Sequence, residues 1–448
     1  MPTAAQILGK FAAELKFEDI PPAAVERAKD CIIDVVGIST FGSTFPWSGM
    51  VADYARRYGS GGPCSLIGYK DVRLHAPYAA LANGAFANGF EQDTSYYPQA
   101  GAHSGSPLVP PVLALCEEAQ ADGKTAIAAY IAGCELNYRI GSAAHHGDPS
   151  PEPLGFHAPG LSGPYGATAA AGRVLGLNAE QMTHALGIAG SLSAGILALT
   201  KSKQGGMVKR LHLGRAAESG VLAARLAFAG YTGPETVLEG KFGYLEVYCR
   251  NGDAARLTAD LGKEWKTLRV AIKRYAIHGS AQIAVQSTRE LMAQHSFTGN
   301  DVAKVIVGGS KKLISHHNIT EPGEIMHGQY SVPFCVALAL FRDPEDPKTI
   351  NASALEDPAI REACRKTVEM VERPEVGDSF NARVTIKLKD GREFVRDADT
   401  FKGKPESPLS RPELRNKFML SMAGDQDAAA KLYERLVSLE KQKQFTIA

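Results

Sequence analysis

The chain has 448 residues, room for about two or three domains at roughly 150 residues each. With 44% hydrophobic and 22% charged residues it is neither disordered nor fibrous, and a formal net charge of +1 excludes a surface built to coat nucleic acid. A small-molecule partner fits that balance. Glycine, at 45 residues, exceeds the usual ~7% and points to close helix packing or backbone-lined sites.

In chain order, Met1-Pro2-Thr3-Ala4 soon meets Lys10, Glu14 and Lys16, so no apolar signal core forms. From Ala23 to Ile38 the residues Val25, Ala28, Ile32, Val35 and Val36 recur at helical spacing behind Pro21-Pro22. Similar patterns predict helices over Ala76–Phe90, Ala126–Ala144, Gly163–Leu175, Ala179–Leu199 and Arg210–Phe228. Their apolar faces carry Ala and Gly, which let helix axes approach at the short end of the usual ~8–10 Å. The most lipid-like stretch, Leu186 to Leu199, is too short and too rich in Gly and Ser for a span of ~20 residues. It reads as a buried core helix. The seven cysteines are scattered and contain no C-x-x-C, which favours reduced core thiols in a cytoplasmic protein over a zinc site, a cluster or a disulfide framework.

Near residue 266 the period changes. Leu268–Ile272 and Val305–Val307 read as strands, and Val384, Ile386 and Leu388 alternate with Thr385, Lys387 and Lys389. Asp390-Gly391 then predicts a type I′ hairpin into Glu393-Phe394-Val395. Helical stretches lie between, at Ser280–Gln294, Tyr330–Phe341 and Pro358–Val371. Helix returns at the end, with a capping box at Ser410 and Glu413 and a stripe of Leu432, Leu436 and Leu439. The expected fold is mainly α: a large all-α domain formed by both chain ends, 1–265 and 403–448, with a smaller α+β domain, 266–402, inserted.

Several of the twelve histidines stand in turn-rich contexts: His103 after Gly101-Ala102, His157 in Gly155-Phe156-His157-Ala158-Pro159-Gly160, and His278 before Gly279. Lys209 and His212 share Lys209-Arg210-Leu211-His212-Leu213-Gly214, and Lys273 opens Lys273-Arg274-Tyr275-Ala276-Ile277-His278. No metal site is expected, because there is no H-E-x-x-H and no clear i, i+4 histidine pair. The adjacent pairs His145-His146 and His316-His317 read as solvated. Gly160-x-x-Gly163-x-x-Gly166 reads as a tight helix entry rather than a phosphate cradle, since no strand precedes it.

These segments together resemble the MmgE/PrpD superfamily, which includes 2-methylcitrate dehydratase, cis-aconitate decarboxylase and iminodisuccinate epimerase. The match runs through Cys31–Gly37, Asn88–Thr94, His103–Pro110, Gly155-Phe156-His157, Lys209–Ala217, Lys273–Tyr275 with His278, Tyr330–Phe334, Leu388–Arg392 and Lys402–Pro405. The chain departs from the common pattern at Gln92, Ser95, Ser104 and Ala276. The resemblance implies a helical domain with a smaller α/β lid, a homodimer, and an active site between the two domains. It carries over Asp93, His103, His157, Lys209, Lys273 and His278 as catalytic positions, with His212, Arg274 and Tyr275 at the substrate. No cofactor, membrane or nucleic acid is implied.

Breaking a bond beside a carboxylate-bearing carbon needs cations for the carboxylates, a base near neutral pKa and an acid. Lys209, Lys273 and Arg274 supply charge, and His103 and His157 form the leading acid/base pair with Asp93 orienting one imidazole. The preferred reaction is dehydration of a 2-methylcitrate-like hydroxy acid. The alternatives are decarboxylation of a cis-aconitate-like acid, epimerisation of an amino- or imino-dicarboxylate, and a non-catalytic polycarboxylate binder.

Overall fold

The computed structural model describes residues 1–98, 100–201, 206–376 and 380–447. The chain packs as two units, Met1–Ala271 with Met422–Ala448, and Ile272–Ser421. The divisions fall several residues beyond the expected 265/266, and at 421/422 rather than 402/403. The second shift arises because the Arg411–Ser421 helix, capped by Ser410 and Glu413, groups with the inserted unit.

The first unit is a helical stack. Its main members are Pro22–Gly42, Ala76–Ala87, Gly123–His145, Ala158–Val174 and Val208–Phe228. Small residues set the spacing. A Cβ on Gly84 would lie 3.0 Å from the Gly214 Cα, and one on Gly166 would lie 2.6 Å from the Asn137 Cβ. Gly163 and Gly160 meet Ala216 and the Ala194 carbonyl just as closely, so the Gly160-x-x-Gly163-x-x-Gly166 run is a packing device. The tail completes this core: the Gly123 N–H donates to the Gln442 carbonyl, the Phe445 N–H to the Ala121 carbonyl, and Lys29 pairs with Glu440 at 3.0 Å.

Two expectations in this unit give way, and one element appears that none foresaw. The stretch to Leu199 is not one buried helix: Ala179–Leu192 ends, Gly195 turns at φ +143°, and Ile196 is exposed. The strand at 268–272 shortens to Val270–Ala271, paired antiparallel with Ser95–Tyr96. A hairpin that the sequence pattern does not predict, Ser60–Leu66 with Tyr69–Leu74, is pinned by Glu117, whose carboxylate accepts from the Ser65 N–H at 2.6 Å.

Just before the chain leaves this unit, residues 264–267 are anchored by a buried ion pair. Arg139 and Glu135 are 2.6 Å apart with side chains 1% exposed, and Glu135 also accepts from the Lys266 N–H and from the Thr267 N–H and hydroxyl. Arg139 donates in turn to the Glu264 carbonyl. Each buried charge is thereby paired and hydrogen-bonded, the condition under which burial is tolerated.

The inserted unit has a four-stranded sheet in the order Val368–Glu372, Val302–Gly309, Ala382–Leu388, Glu393–Ala398. The first pair is parallel and the others antiparallel. Helix Gly279–His295 packs on the Ala382–Leu388 strand. Residues 358–371 do not form one helix. Pro358–Glu362 passes through a wider turn into the strand, where Val368 and Met370 are buried. The type I′ turn is also corrected: Gly391 alone takes positive φ (+91°), its N–H bonds the Leu388 carbonyl, and the Leu388 N–H bonds the Arg392 carbonyl. That is the three-residue loop in which one left-handed glycine follows an ordinary turn. No helix of the described residues is long and apolar enough to cross a membrane.

Candidate active site

Three segments of the helical unit carry the predicted groups, and the loop at Gly195 packs against them: the irregular stretch 88–106, the N-cap at His157, and the first two turns of Val208–Phe228. Asp93 is fully buried. Its Oδ2 receives the Asn88 Nδ2 at 2.9 Å and the Ser106 hydroxyl at 3.3 Å, and lies 2.7 Å from Nδ1 of His103. The Asp93 carboxylate thus stands against the Nδ1 edge of the His103 ring and leaves the Nε2 edge for chemistry. The loop is fixed from the other side as Asn137 donates to the His103 carbonyl at 2.6 Å.

His157 precedes the Ala158–Val174 helix, and its N–H donates to the Gly195 carbonyl at 3.0 Å. Its Nδ1 lies 3.0 Å from Nδ1 of His212, one turn into the Val208–Phe228 helix. One nitrogen must donate and the other accept, so the pair shares a proton between them. Gly195 makes this approach possible: a Cβ there would stand 3.3 Å from the His212 Nδ1 and 3.4 Å from the His157 Cβ. Burial pushes the His157 pKa well below the ordinary histidine value, and Lys209, His212 and His103 lower it further. Burial and then Lys209 also lower that of His212. At neutral pH both imidazoles of the free protein are bases without charge.

Lys209 pairs with Glu91, a residue that its sequence context does not single out. Both are largely buried, with side chains 15% and 5% exposed. Glu91 has φ +55°, in the left-handed region that non-glycine residues seldom enter. Its turn is buttressed: Phe90 stacks on Phe45 at 4.4 Å and meets Phe41 edge-on at 5.3 Å, while the Trp47 indole N–H donates to the Gly89 carbonyl. Only this geometry reveals Glu91, because in the sequence it is one acid beside a more obvious one.

The inserted unit holds the other predicted group. Lys273 is buried, and the preceding Ile272 N–H bonds the Gly403 carbonyl at 3.0 Å. Arg274 is engaged by Glu345, which takes both Nε and a terminal nitrogen; burial opposes its charged form, but Tyr275 and then Glu345 outweigh that and raise its pKa. Tyr275 is buried, its backbone tied to Gln282, and burial raises its phenol pKa. His278 caps the Gly279–His295 helix. Its Nδ1 accepts from the Ser280 N–H at 3.4 Å and lies 2.8 Å from the Ser280 hydroxyl, so the ring hydrogen sits on Nε2. The ring stacks on Tyr330 at 4.5 Å and on His317 at 4.8 Å. His316 is exposed as expected, but His317 is not merely solvated: it is partly buried and donates from Nδ1 to the Tyr330 carbonyl at 3.0 Å. Among the described residues no set of three or more His, Cys, Asp or Glu side chains is disposed to hold a metal ion.

Comparison with known proteins adds a second line. Residues 6–257 match the MmgE/PrpD N-terminal domain and 275–439 the C-terminal domain. A cis-aconitate decarboxylase of Aspergillus terreus is 30% identical over 96% of this chain and 92% of its own length. A cis-aconitate decarboxylase-like protein of Aspergillus oryzae, oryM, is 27% identical over 97% and 94%. The human cis-aconitate decarboxylase is 28% identical over 90% and 84%.

Proposed function

The chain belongs to the MmgE/PrpD family and is an enzyme of lyase type; from that premise we propose that it removes CO2, without a cofactor, from a small unsaturated polycarboxylate of the cis-aconitate kind. Decarboxylation moves ahead of the dehydration of a 2-methylcitrate-like acid favoured by the sequence, since the relatives named above, which this chain matches over most of their length, are named cis-aconitate decarboxylase or decarboxylase-like. The observation that carries the reading is the convergence of two imidazole sites beside a buried lysine, one imidazole aligned by the buried Asp93 and the other paired with His212.

The chemistry asks for little more. Cleavage of the bond between a carboxylate and its carbon leaves an electron pair. A neighbouring C=C passes that pair to a second carboxylate, and a proton must then reach carbon. His103 and His157 are the candidates to hold that proton, and an anionic substrate would raise the pKa of His157 that burial keeps low in the free site. Asp93 acts by fixing the His103 ring, and Lys209 contributes positive charge. Lys273 and His278 are proposed as the second set of contributing groups. We also assign the protein to the cytoplasm, which its seven buried free thiols suit, and to a homodimer, which sedimentation would test.

Incubation with cis-aconitate and with citrate-like hydroxy acids in D2O separates the reactions. Release of CO2 with one deuterium at the protonated carbon is the expected outcome. Loss of water supports the dehydratase, exchange without elimination the epimerase, and thermal stabilisation without turnover the binder. His103→Gln should lower turnover by ~10²–10⁴, the usual value of a proton-transfer group. A loss under about tenfold removes His103 from that role.

A further inference from the structure

The pairing of Glu91 with Lys209 bears on which polycarboxylate this chain accepts. Lys209 is the buried ammonium of the described cluster in the helical unit, and a buried acid already meets it. Glu91 also faces His157, where its charge acts in the direction opposite to that of Lys209. Among the described residues of this cluster, the Glu91 and Asp93 carboxylates lie on the same side of the site as the Lys209 ammonium that Glu91 engages. A third substrate carboxylate drawn to Lys209 would arrive against the Glu91 carboxylate, a like-charge contact that selects against such a group. A hydroxyl, carboxamide or ammonium group would not meet that penalty. It can donate to Glu91, and a hydroxyl or carboxamide oxygen can also accept from Lys209.

The backbone that presents this carboxylate to Lys209 is held in place. Glu91 holds a left-handed backbone, its neighbour Phe90 is clamped between Phe41 and Phe45, and Gly89 has no space for a side chain, with a Cβ there 2.8 Å from the Phe86 carbonyl oxygen. A residue kept in a costly conformation by its surroundings is over-determined, and such positions cluster at functional sites.

We propose that Glu91 is a specificity-determining residue: by occupying Lys209 it excludes a third carboxylate at that position and favours an unsaturated dicarboxylate carrying a hydrogen-bond donor there instead. This rests on the polycarboxylate reading above and narrows its substrate class.

The test compares cis-aconitate with its three monocarboxamides, each tried on the full-length wild-type protein and on Glu91→Gln. Binding is followed by titration calorimetry, turnover by CO2 release, and folding by circular dichroism. Wild type should prefer at least one monoamide by about tenfold or more in affinity, and Glu91→Gln should shift the ratio toward cis-aconitate by at least as much. A ratio unchanged within about twofold in a folded variant overturns the proposal, because a merely structural Glu91 would weaken all the acids alike. Wild-type preference for the tricarboxylate also overturns it. If no acid binds either protein, the underlying reading fails and the proposal with it. Should Glu91→Gln not fold, Glu91→Asp retains the charge but withdraws it by one methylene, and the same ratio must move the same way by a smaller factor.

Discussion

Two histidine pairs among the described residues, His157 with His212 in the first unit and His278 with His317 in the inserted unit, are built on opposite principles. His157 and His212 meet edge to edge through Nδ1 atoms 3.0 Å apart, with ring centroids 5.0 Å apart and planes tilted by 44°. His278 and His317 stack face to face, 4.8 Å apart at 25°, and each Nδ1 is bound elsewhere, to Ser280 and to the Tyr330 carbonyl. In the first pair one proton serves two rings, so a charge on either ring is felt directly by the other. In the second pair the tautomers are fixed separately by the backbone, and contact between the rings is a matter of packing. The lesson is that adjacency of histidines does not define their chemistry; the atom through which they touch does.

Substitution should separate the two designs. The largest effect is expected at His157→Gln, with kcat down by ~10²–10⁴, whereas His317→Gln should cost less than about tenfold because no proton passes through it. Steady-state kinetics at saturating substrate would show the contrast, and equal losses would dissolve it. Next comes Gly195→Ala. The added methyl meets both His157 and His212 at a positive φ, so a loss of more than about 1 kcal/mol in stability is expected, together with a fall in activity, read by denaturant unfolding.

Acid stability ranks third. The pKa values of His157, His212 and His317 are all depressed in the folded protein, so the unfolded chain binds protons first. Stability is therefore full above about pH 6.5 and falls as the pH drops below it, by at most about 1.4 kcal/mol per pH unit for each group. Melting curves between pH 7.5 and 5 should show that His157→Gln relieves more of this loss than His317→Gln, since His157 is the more buried. The smallest effect is expected for Ser280→Ala, which removes one contact to His278 but leaves the backbone N–H that sets its tautomer. A change of no more than about 1 kcal/mol, with a few-fold shift in kcat, is expected.

Most of the helical unit is legible because its signal is periodic and long, whereas His103, His157 and Lys209 stand out through the family resemblance more than through their turn contexts, each of which is weak alone. What escaped did so for local reasons. The Ser60–Leu74 hairpin begins with Gly61, Gly62 and Pro63, which carry no alternation, and Gly61 takes φ +95°. The strand Val368–Glu372 follows a helical turn without a break residue, so its first four residues read as more helix. Leu186–Leu199 looked continuous because hydrophobicity persists past the point where Gly195 turns the chain. Glu91 could not be seen at all: its significance lies in a backbone angle and in a lysine 118 positions away.

The tail bonds made by Glu440, Gln442 and Phe445 have a consequence for how the molecule comes into being. On the ribosome, the first 271 residues emerge with part of their core still untranslated, and about 150 more must follow before the missing pieces arrive. The inserted unit has both of its ends early enough to settle first. The larger, earlier-synthesised body waits for Met422–Ala448, and a nascent chain halted near residue 421 should remain protease-sensitive in the helices that this segment would have covered.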